Sequence, residues 1–164
     1  MKRPGVTLLL VAAAVLCACH PHAKTTLSDP PQDVASGSVF KLNKSIVIPA
    51  GAAGVQFQDA QLVGLDALRP SYAYCRFGLD AATSTAREIT PQPFTVTGVD
   101  YDESAAGSIG EAVSSTRMAL QTAQGAKGYF MTCMLPAAAA SARFVTVSEI
   151  NGAVGDYFTL KRAY

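Results

Sequence analysis

Short segments in which apolar and polar residues alternate constrain the fold of this chain most strongly. In residues 39–49, Phe40, Leu42, Ile46 and Ile48 fall on one side of an extended chain. Such alternation with a period of two predicts a half-buried β-strand. Further strands are predicted at residues 55–58, 72–79, 94–101, 129–135, 143–146 and 157–161. Many short strands favour a mainly β chain folded as a small β-sandwich-like domain.

Three segments leave alternatives open. Residues 113–124 fit either a helix or a strand, and the strand is preferred because the turn-like residues 125–128 would complete a hairpin. Residues 61–71 contain three leucines at helical spacing, which is compatible with one helical turn or with a packed loop. The break at residues 49–54 predicts either a hairpin or a pair of strands that crosses between sheets.

One short C-terminal helix is predicted from its capping residues. Thr146 and Glu149 have the spacing of a capping box, in which each residue bonds the backbone of the other. The residues that follow form a short apolar face and then a glycine that can end the helix: Ile150, Ala153, Val154 and Gly155.

The N-terminal segment has the three parts of a bacterial export signal. Lys2 and Arg3 provide a positive start, 11 apolar residues follow at positions 6–16, and small residues lead to a cysteine. A bilayer span requires about 20 apolar residues. The segment is therefore predicted to be a signal peptide and not a transmembrane helix.

The end of this signal resembles the lipobox of bacterial lipoproteins. Leu16 stands three residues before Cys19 and Ala18 directly before it, whereas Cys17 would place the bulky Leu16 at the cleavage position. The resemblance implies that Cys19 is acylated and that Cys17 leaves with the signal peptide. Position two of the mature chain would be His20 and not an aspartate, which implies the outer membrane.

These features divide the chain into three predicted parts. Residues 1–18 form a lipoprotein signal peptide, residues 19–37 a lipidated flexible tether, and residues 38–164 a single β-rich periplasmic domain. The membrane is thus an expected partner through the lipid anchor.

Two cysteines, Cys75 and Cys133, remain for the domain, and each lies in a strand-like segment. In an oxidising compartment this arrangement predicts a disulfide between them. Closing a loop of this length would stabilise the fold by about 4 kcal/mol. A redox or metal site is the alternative, but it lacks a CxxC spacing and a nearby histidine.

Charge and residue usage argue against several function classes. The chain has 13 basic and 12 acidic residues, and two of the basic ones, Lys2 and Arg3, belong to the predicted signal. A near-neutral domain without a basic cluster does not favour nucleic acid as a partner. Both histidines, His20 and His22, lie in the predicted tether, so the domain lacks the usual base for serine or cysteine catalysis.

The remaining chemical motifs are weak. Asp100, Asp102 and Glu103 form a small acidic group, which is predicted to be a solvated turn and not a calcium site because the ligand register is absent. The carboxylates of the domain show no spacing that singles out an acid–base pair. We therefore expect no cofactor, no metal and no enzymatic activity.

Five short motifs occur between residues 39 and 160. They are Ile48-Pro49 with Val55-Gln56-Phe57-Gln58, Tyr72-Ala73-Tyr74-Cys75, Pro91-Gln92-Pro93-Phe94-Thr95-Val96, Met131-Thr132-Cys133-Met134-Leu135, and Ser148-Glu149-Ile150 followed by Gly155. Together they resemble a group of uncharacterised β-rich outer-membrane lipoproteins of Gram-negative bacteria. The resemblance implies a β fold and an envelope location, and it brings no catalytic residues with it.

The sequence thus predicts a non-catalytic structural or accessory domain that binds another envelope protein. The alternative is an inhibitor or immunity lipoprotein that blocks a periplasmic hydrolase. An inhibitor is expected to project a polar loop, for which residues 61–71 and 101–112 are the candidates.

Overall fold

The computed structural model describes residues 34–69, 71–108, 110, 112–136 and 143–163. The predicted signal peptide, Cys19 and most of the predicted tether lie outside these residues. The described strands are, in chain order, β1 (Val39–Leu42), β2 (Ile46–Ile48), β3 (Gly54–Gln58), β4 (Gln61–Val63), β5 (Tyr74–Leu79), β6 (Arg87–Ile89), β7 (Pro93–Ala106), β8 (Ala112–Thr122), β9 (Tyr129–Pro136) and β10 (Phe158–Lys161). They are joined by the 3-10 turns Leu65–Ala67 and Gly155–Tyr157 and by one α-helix, α1 (Val147–Val154).

Eight strands form one antiparallel sheet with the order β10-β1-β7-β8-β9-β5-β3-β4, and β2 pairs with β6 separately. The prediction of a mainly β, small β-sandwich-like domain with one short C-terminal helix is confirmed. Residues 112–122 form strand β8, which confirms the preferred assignment of the ambiguous segment. Because β2 and β3 belong to different sheets, the connection between them crosses from one sheet to the other.

The large sheet curls around a core of aromatic side chains. The rings of Phe57 on β3 and Phe158 on β10 lie 5.7 Å apart, although these strands are near opposite ends of the sheet. Phe77 on β5 lies between them in the sheet order and contacts both Phe158, at 5.2 Å, and Phe94, at 5.4 Å. All four rings are buried. The inner face of the sheet therefore closes on itself and excludes water from the rings.

Helix α1 begins at the predicted capping box. The hydroxyl of Thr146 accepts a hydrogen bond from the Glu149 N–H, and the Glu149 carboxylate accepts one from the Thr146 N–H. The predicted apolar face is buried and comprises Ile150, Ala153 and Val154.

The end of α1 packs against the tight turn that joins β3 to β4. Asp59 and Ala60 in this turn both have positive φ, as a two-residue hairpin turn of type I′ requires. The Ala60 N–H donates to the carbonyl of Ala153 at 3.0 Å, and Gly155 follows with a φ of 51°. The helix thus links the β3–β4 end of the sheet to β10.

A smaller apolar cluster lies on the outer face of the large sheet. Its member Tyr74 precedes Cys75 on β5, and because Cys75 faces the main core, the Tyr74 side chain points to the opposite face. Its buried members are Leu68, Tyr74, Val113 and Met134. The Tyr74 hydroxyl accepts a hydrogen bond from the Ser108 N–H at 2.7 Å, which ties the end of the β7–β8 hairpin to β5.

The single strand predicted over residues 39–49 is wrong, because the chain leaves the large sheet after β1. The Asn43 N–H donates to the Tyr157 carbonyl at 2.8 Å, and its side-chain amide donates to Thr159 Oγ1 at 2.9 Å. These bonds hold the chain where it turns toward β2. Alternation continues across the break, which is why the sequence did not reveal it.

Two further predictions were wrong in detail. Asp100, Asp102 and Glu103 lie within β7 and not in a turn, since pairing with β8 continues past them and their side chains are exposed. Residues 143–146 form no strand in the described structure and instead lead into the capping box of α1.

The packed domain also starts earlier than the predicted boundary at residue 38. Val34 is only 3% exposed and belongs to the main core. The Gly37 N–H donates to the Val96 carbonyl at 2.8 Å, which extends the packing of this segment onto β7. Residues 34–37 are therefore part of the domain and not of a free tether.

Candidate docking groove

The two cysteines predicted to pair form a disulfide between central strands of the large sheet. Cys75 on β5 lies directly opposite Cys133 on β9, and their Cα atoms are 4.0 Å apart. Both residues are buried in the main core. The disulfide therefore cross-links two strands that are already hydrogen-bonded, away from solvent. The predicted lipidation site, Cys19, lies outside the described residues.

A groove of about 570 Å³ lies on the outer face of the sheet. Gln56 on β3 and Arg76 on β5 are register partners there. Leu62 of β4, Leu65 of the 3-10 turn after it and Val47 of β2 also line the groove. We call this cavity the Arg76 groove.

Arg76 is a cation without a matching anion in the described structure. Its guanidinium carbon lies 5.5 Å from the centre of the Phe130 ring, and that of Arg117 lies 4.0 Å from the same ring. Arg117 also pairs with Asp80 at 3.3 Å, whereas the Arg76 Nε is buried and makes no hydrogen bond. A buried N–H without an acceptor costs about 1–3 kcal/mol. Arg76 as a whole is partly exposed, so the charge of its guanidinium remains open to an anion from outside.

The floor of the groove beside Arg76 is formed by glycine backbone. Gly54 on β3 lies opposite Gly78 on β5. A Cβ at Gly54 would lie 2.5 Å from the Phe77 carbonyl oxygen and 3.1 Å from the Arg76 Nε. Any larger residue would therefore press on the guanidinium and on the neighbouring strand.

The rim of the groove exposes apolar side chains. Val47 is 54% exposed, Leu65 50% and Leu62 39%. These are three of the four large exposed hydrophobic residues in the described structure, and the fourth is Tyr72. Scattered exposed leucines need no explanation, but a cluster around one concave site is typical of an interaction surface.

A second, smaller cleft carries two carboxylates, Asp59 and Glu149. Asp59 is ion-paired with Arg69, and Glu149 accepts two bonds of 2.8 Å from Arg143. The hydrogen bonds from Arg143, and then those from Thr146, lower the pKa of Glu149 to about 2. An ion-paired carboxylate that is already ionised at neutral pH is not suited to act as a general acid. The cleft therefore does not provide an acid–base pair.

In the part of the chain that the structure describes, no three histidine, cysteine or carboxylate side chains come together to hold a metal ion. No helix within that part is long and apolar enough to cross a membrane. Comparison with known proteins gave no match to a family model, to a curated protein or to a solved structure.

Sequence reasoning did not identify the Arg76 groove. The leucine spacing in residues 61–71 left one helical turn or a packed loop open, and the structure places Leu62 on β4 and Leu65 in a 3-10 turn, both exposed. Arg76 occupied an ordinary polar position in an alternating strand. The one available signal was Val47, an apolar residue on the polar side of the alternation in residues 39–49. By itself it did not indicate which other residues would join it.

Proposed function

We propose that this protein is an outer-membrane lipoprotein of a Gram-negative envelope, held on the periplasmic face by acylated Cys19. Its domain is a non-catalytic structural or accessory module that binds another envelope protein. The observation that carries the binding role is the Arg76 groove, in which exposed apolar side chains lie in the same lining as a guanidinium that has no described carboxylate partner. The proposed function involves no nucleic-acid partner and no cofactor.

Two features support the envelope location. Leu16, Ala18 and Cys19 resemble a lipobox after a signal of suitable length. Cys75 and Cys133 form a disulfide, a bond that persists in oxidising compartments such as the periplasm and is rare in the cytosol. Several acyl chains on one cysteine give stable anchoring, which a single chain does not.

The chemistry of the two cavities supports binding over catalysis. The described lining of the Arg76 groove contains one charged side chain, no carboxylate and no thiol. The carboxylates of the second cleft are both ion-paired. Neither cavity therefore combines a nucleophile with a base, as covalent catalysis requires.

The alternative, an inhibitor or immunity lipoprotein, depends on a loop that projects into an enzyme. In the first candidate segment Leu68 is buried, and the Gln58 side-chain amide donates to the Arg69 carbonyl at 3.0 Å. In the second, the Ser108 N–H is bonded to Tyr74. Each segment is therefore anchored to the rest of the fold at the residues just named, while most of its other described residues are exposed. A groove that receives a partner therefore suits the accessory role better than inhibition.

The binding role is tested by site-specific photo-crosslinking of the lipidated protein in living cells. A benzoylphenylalanine at Leu62 is expected to crosslink one envelope protein, because this side chain lies on the rim of the groove. Lys41, an exposed residue of β1 near the other edge of the sheet and outside the groove lining, is the matched control and should not give that product. Absence of a product at Leu62, or identical products at both sites, would contradict the proposal.

A further inference from the structure

We infer that the Arg76 groove binds an extended segment of its partner protein in which one aspartate or glutamate lies between apolar residues. The carboxylate pairs with Arg76, and the flanking apolar side chains cover Val47, Leu62 and Leu65. This inference rests on the proposed function, because it states the chemistry of the partner at the same site.

The charge of the groove selects an anion. Arg76 is the one charged residue in its described lining. Other arginines are already neutralised within the fold: Arg69, Arg117 and Arg143 each pair with a carboxylate. Arg76 differs from them because its only described interaction is with the Phe130 ring. A partner that brings one negative charge complements this site.

The shape of the guanidinium selects a carboxylate. Its two terminal Nη groups present parallel N–H donors, which match the two oxygens of a carboxylate. The Arg76 side chain is partly exposed and makes no described ion pair, so a carboxylate can approach it without displacing an internal bond. A phosphate would bring nearly two negative charges to a single cation, and therefore fits this groove less well.

The rim selects a protein segment over a small molecule. Small ligands usually occupy pockets that bury about 70–90% of their surface. Here Val47 and Leu65 are about half exposed, so apolar surface continues from the groove to the outside. A chain segment that runs along the groove covers these exposed side chains and Arg76 together.

The test is a selection from a random nonapeptide library against the lipidated full chain in phospholipid nanodiscs. The wild type is expected to enrich Asp or Glu at one position with apolar residues on both sides. Arg76→Glu should enrich Lys or Arg at that position. Lys41→Glu reverses the charge of an exposed β1 residue outside the groove lining and should select the same peptides as the wild type.

A double-mutant cycle then measures the pairing directly. A selected peptide is synthesised with its acidic residue intact or replaced by the corresponding amide. This replacement should weaken binding to the wild type by about tenfold or more, and to Arg76→Gln by less than about twofold. Unchanged circular dichroism and an intact disulfide exclude misfolding of Arg76→Gln, which keeps the assay informative if Arg76→Glu does not fold.

Three results overturn the inference. The first is a selection without an acidic preference, or equal weakening in both arms of the cycle. The second is an Arg76-dependent dimer, which would make a second copy of the chain the occupant. The third is a selection that yields peptides without an acidic motif, together with displacement of those peptides by decanoate, which would indicate an acyl ligand. If an envelope protein is crosslinked at Leu62 and one of these three results is also obtained, the proposed function stands and only the inference about the acidic segment fails. If no protein is crosslinked at Leu62, the proposed function and the inference are both overturned.

Discussion

At the scale of the single residue, Glu149 shows how one carboxylate joins two segments. It accepts two hydrogen bonds of 2.8 Å from the Arg143 guanidinium and two of 2.9 Å from the N–H and hydroxyl of Thr146. The bonds from Arg143 and those from Thr146 lower its pKa to about 2, and the same pair raises the pKa of Arg143. The ionised form is thus bound tightly at the positive end of α1.

Glu149→Gln should lower the free energy of unfolding at neutral pH by about 1–2 kcal/mol. The amide keeps an oxygen for Thr146 but loses the charge that pairs with Arg143. Because the folded pKa of about 2 lies below the usual 4.5, this stabilisation is fully present above about pH 4.5 and is lost as pH falls toward 2. Urea unfolding followed by circular dichroism over this pH range measures the difference between the two proteins.

Glu88→Gln, at an exposed position of β6, is the control and should leave the unfolding free energy nearly unchanged. A constant difference between wild type and Glu149→Gln at every pH would show that the charge of Glu149 is not what stabilises the cap.

At the scale of the element, the end of α1 is fitted to the turn between β3 and β4. Gly155 has a φ of 51°, and a Cβ there would lie 2.2 Å from the Cβ of Ala60. Only glycine therefore allows the helix to end where the Ala60 N–H reaches the Ala153 carbonyl. This contact positions β4, and with it the leucine rim of the Arg76 groove.

Gly155→Ala should lower the free energy of unfolding by about 2–4 kcal/mol, since it adds both backbone strain and a steric clash. Gly152→Ala is the matched control within the same helix, where a Cβ meets no atom within 4 Å. Alanine there should raise the free energy of unfolding by about 0.5–1 kcal/mol. Chemical denaturation of both variants gives the comparison, and shifts of the same sign would contradict this account of the helix end.

At the scale of the whole molecule, the two faces of the large sheet have separate roles. The inner face holds the aromatic core and the disulfide, and the curl of the sheet closes it. The outer face carries the smaller cluster around Tyr74 and, beside it, the Arg76 groove. Substitution in the groove is therefore separable from disruption of the main core, which makes the binding experiments interpretable.

The proposed lipid anchor at Cys19 decides where the whole chain is located in the cell. Cys19→Ser should move the protein from the outer-membrane fraction to the soluble periplasmic fraction and remove the acyl mass, since the attachment atom is lost. Cell fractionation and intact-protein mass spectrometry measure both effects. Cys17→Ser, within the predicted signal peptide, is the control and should stay in the membrane. Outer-membrane retention of Cys19→Ser, with no acyl mass on the wild type, would disprove the anchor.

Local rules predicted most elements of the fold but not their limits. Enrichment in aromatic and other apolar residues identified β5 and β9, whose residues are mostly buried on both faces of the sheet. Alternation missed β6, in which only Ile89 of three residues is buried. It ended β7 too early at its acidic residues, because an exposed sheet face accepts carboxylates wherever the neighbouring strand continues to pair.

The sequence by itself determined the features that depend on neighbours along the chain or on residue type. These include the capping box, since Thr146 and Glu149 are three residues apart, and the disulfide, since only two cysteines remained for the domain. Only the tertiary structure decided the Arg76 groove. Its apolar rim comes from separate segments, and the lack of a partner for Arg76 depends on where every other charge lies. Alternation records which side of a strand faces the core, but not which distant side chains share its outer face.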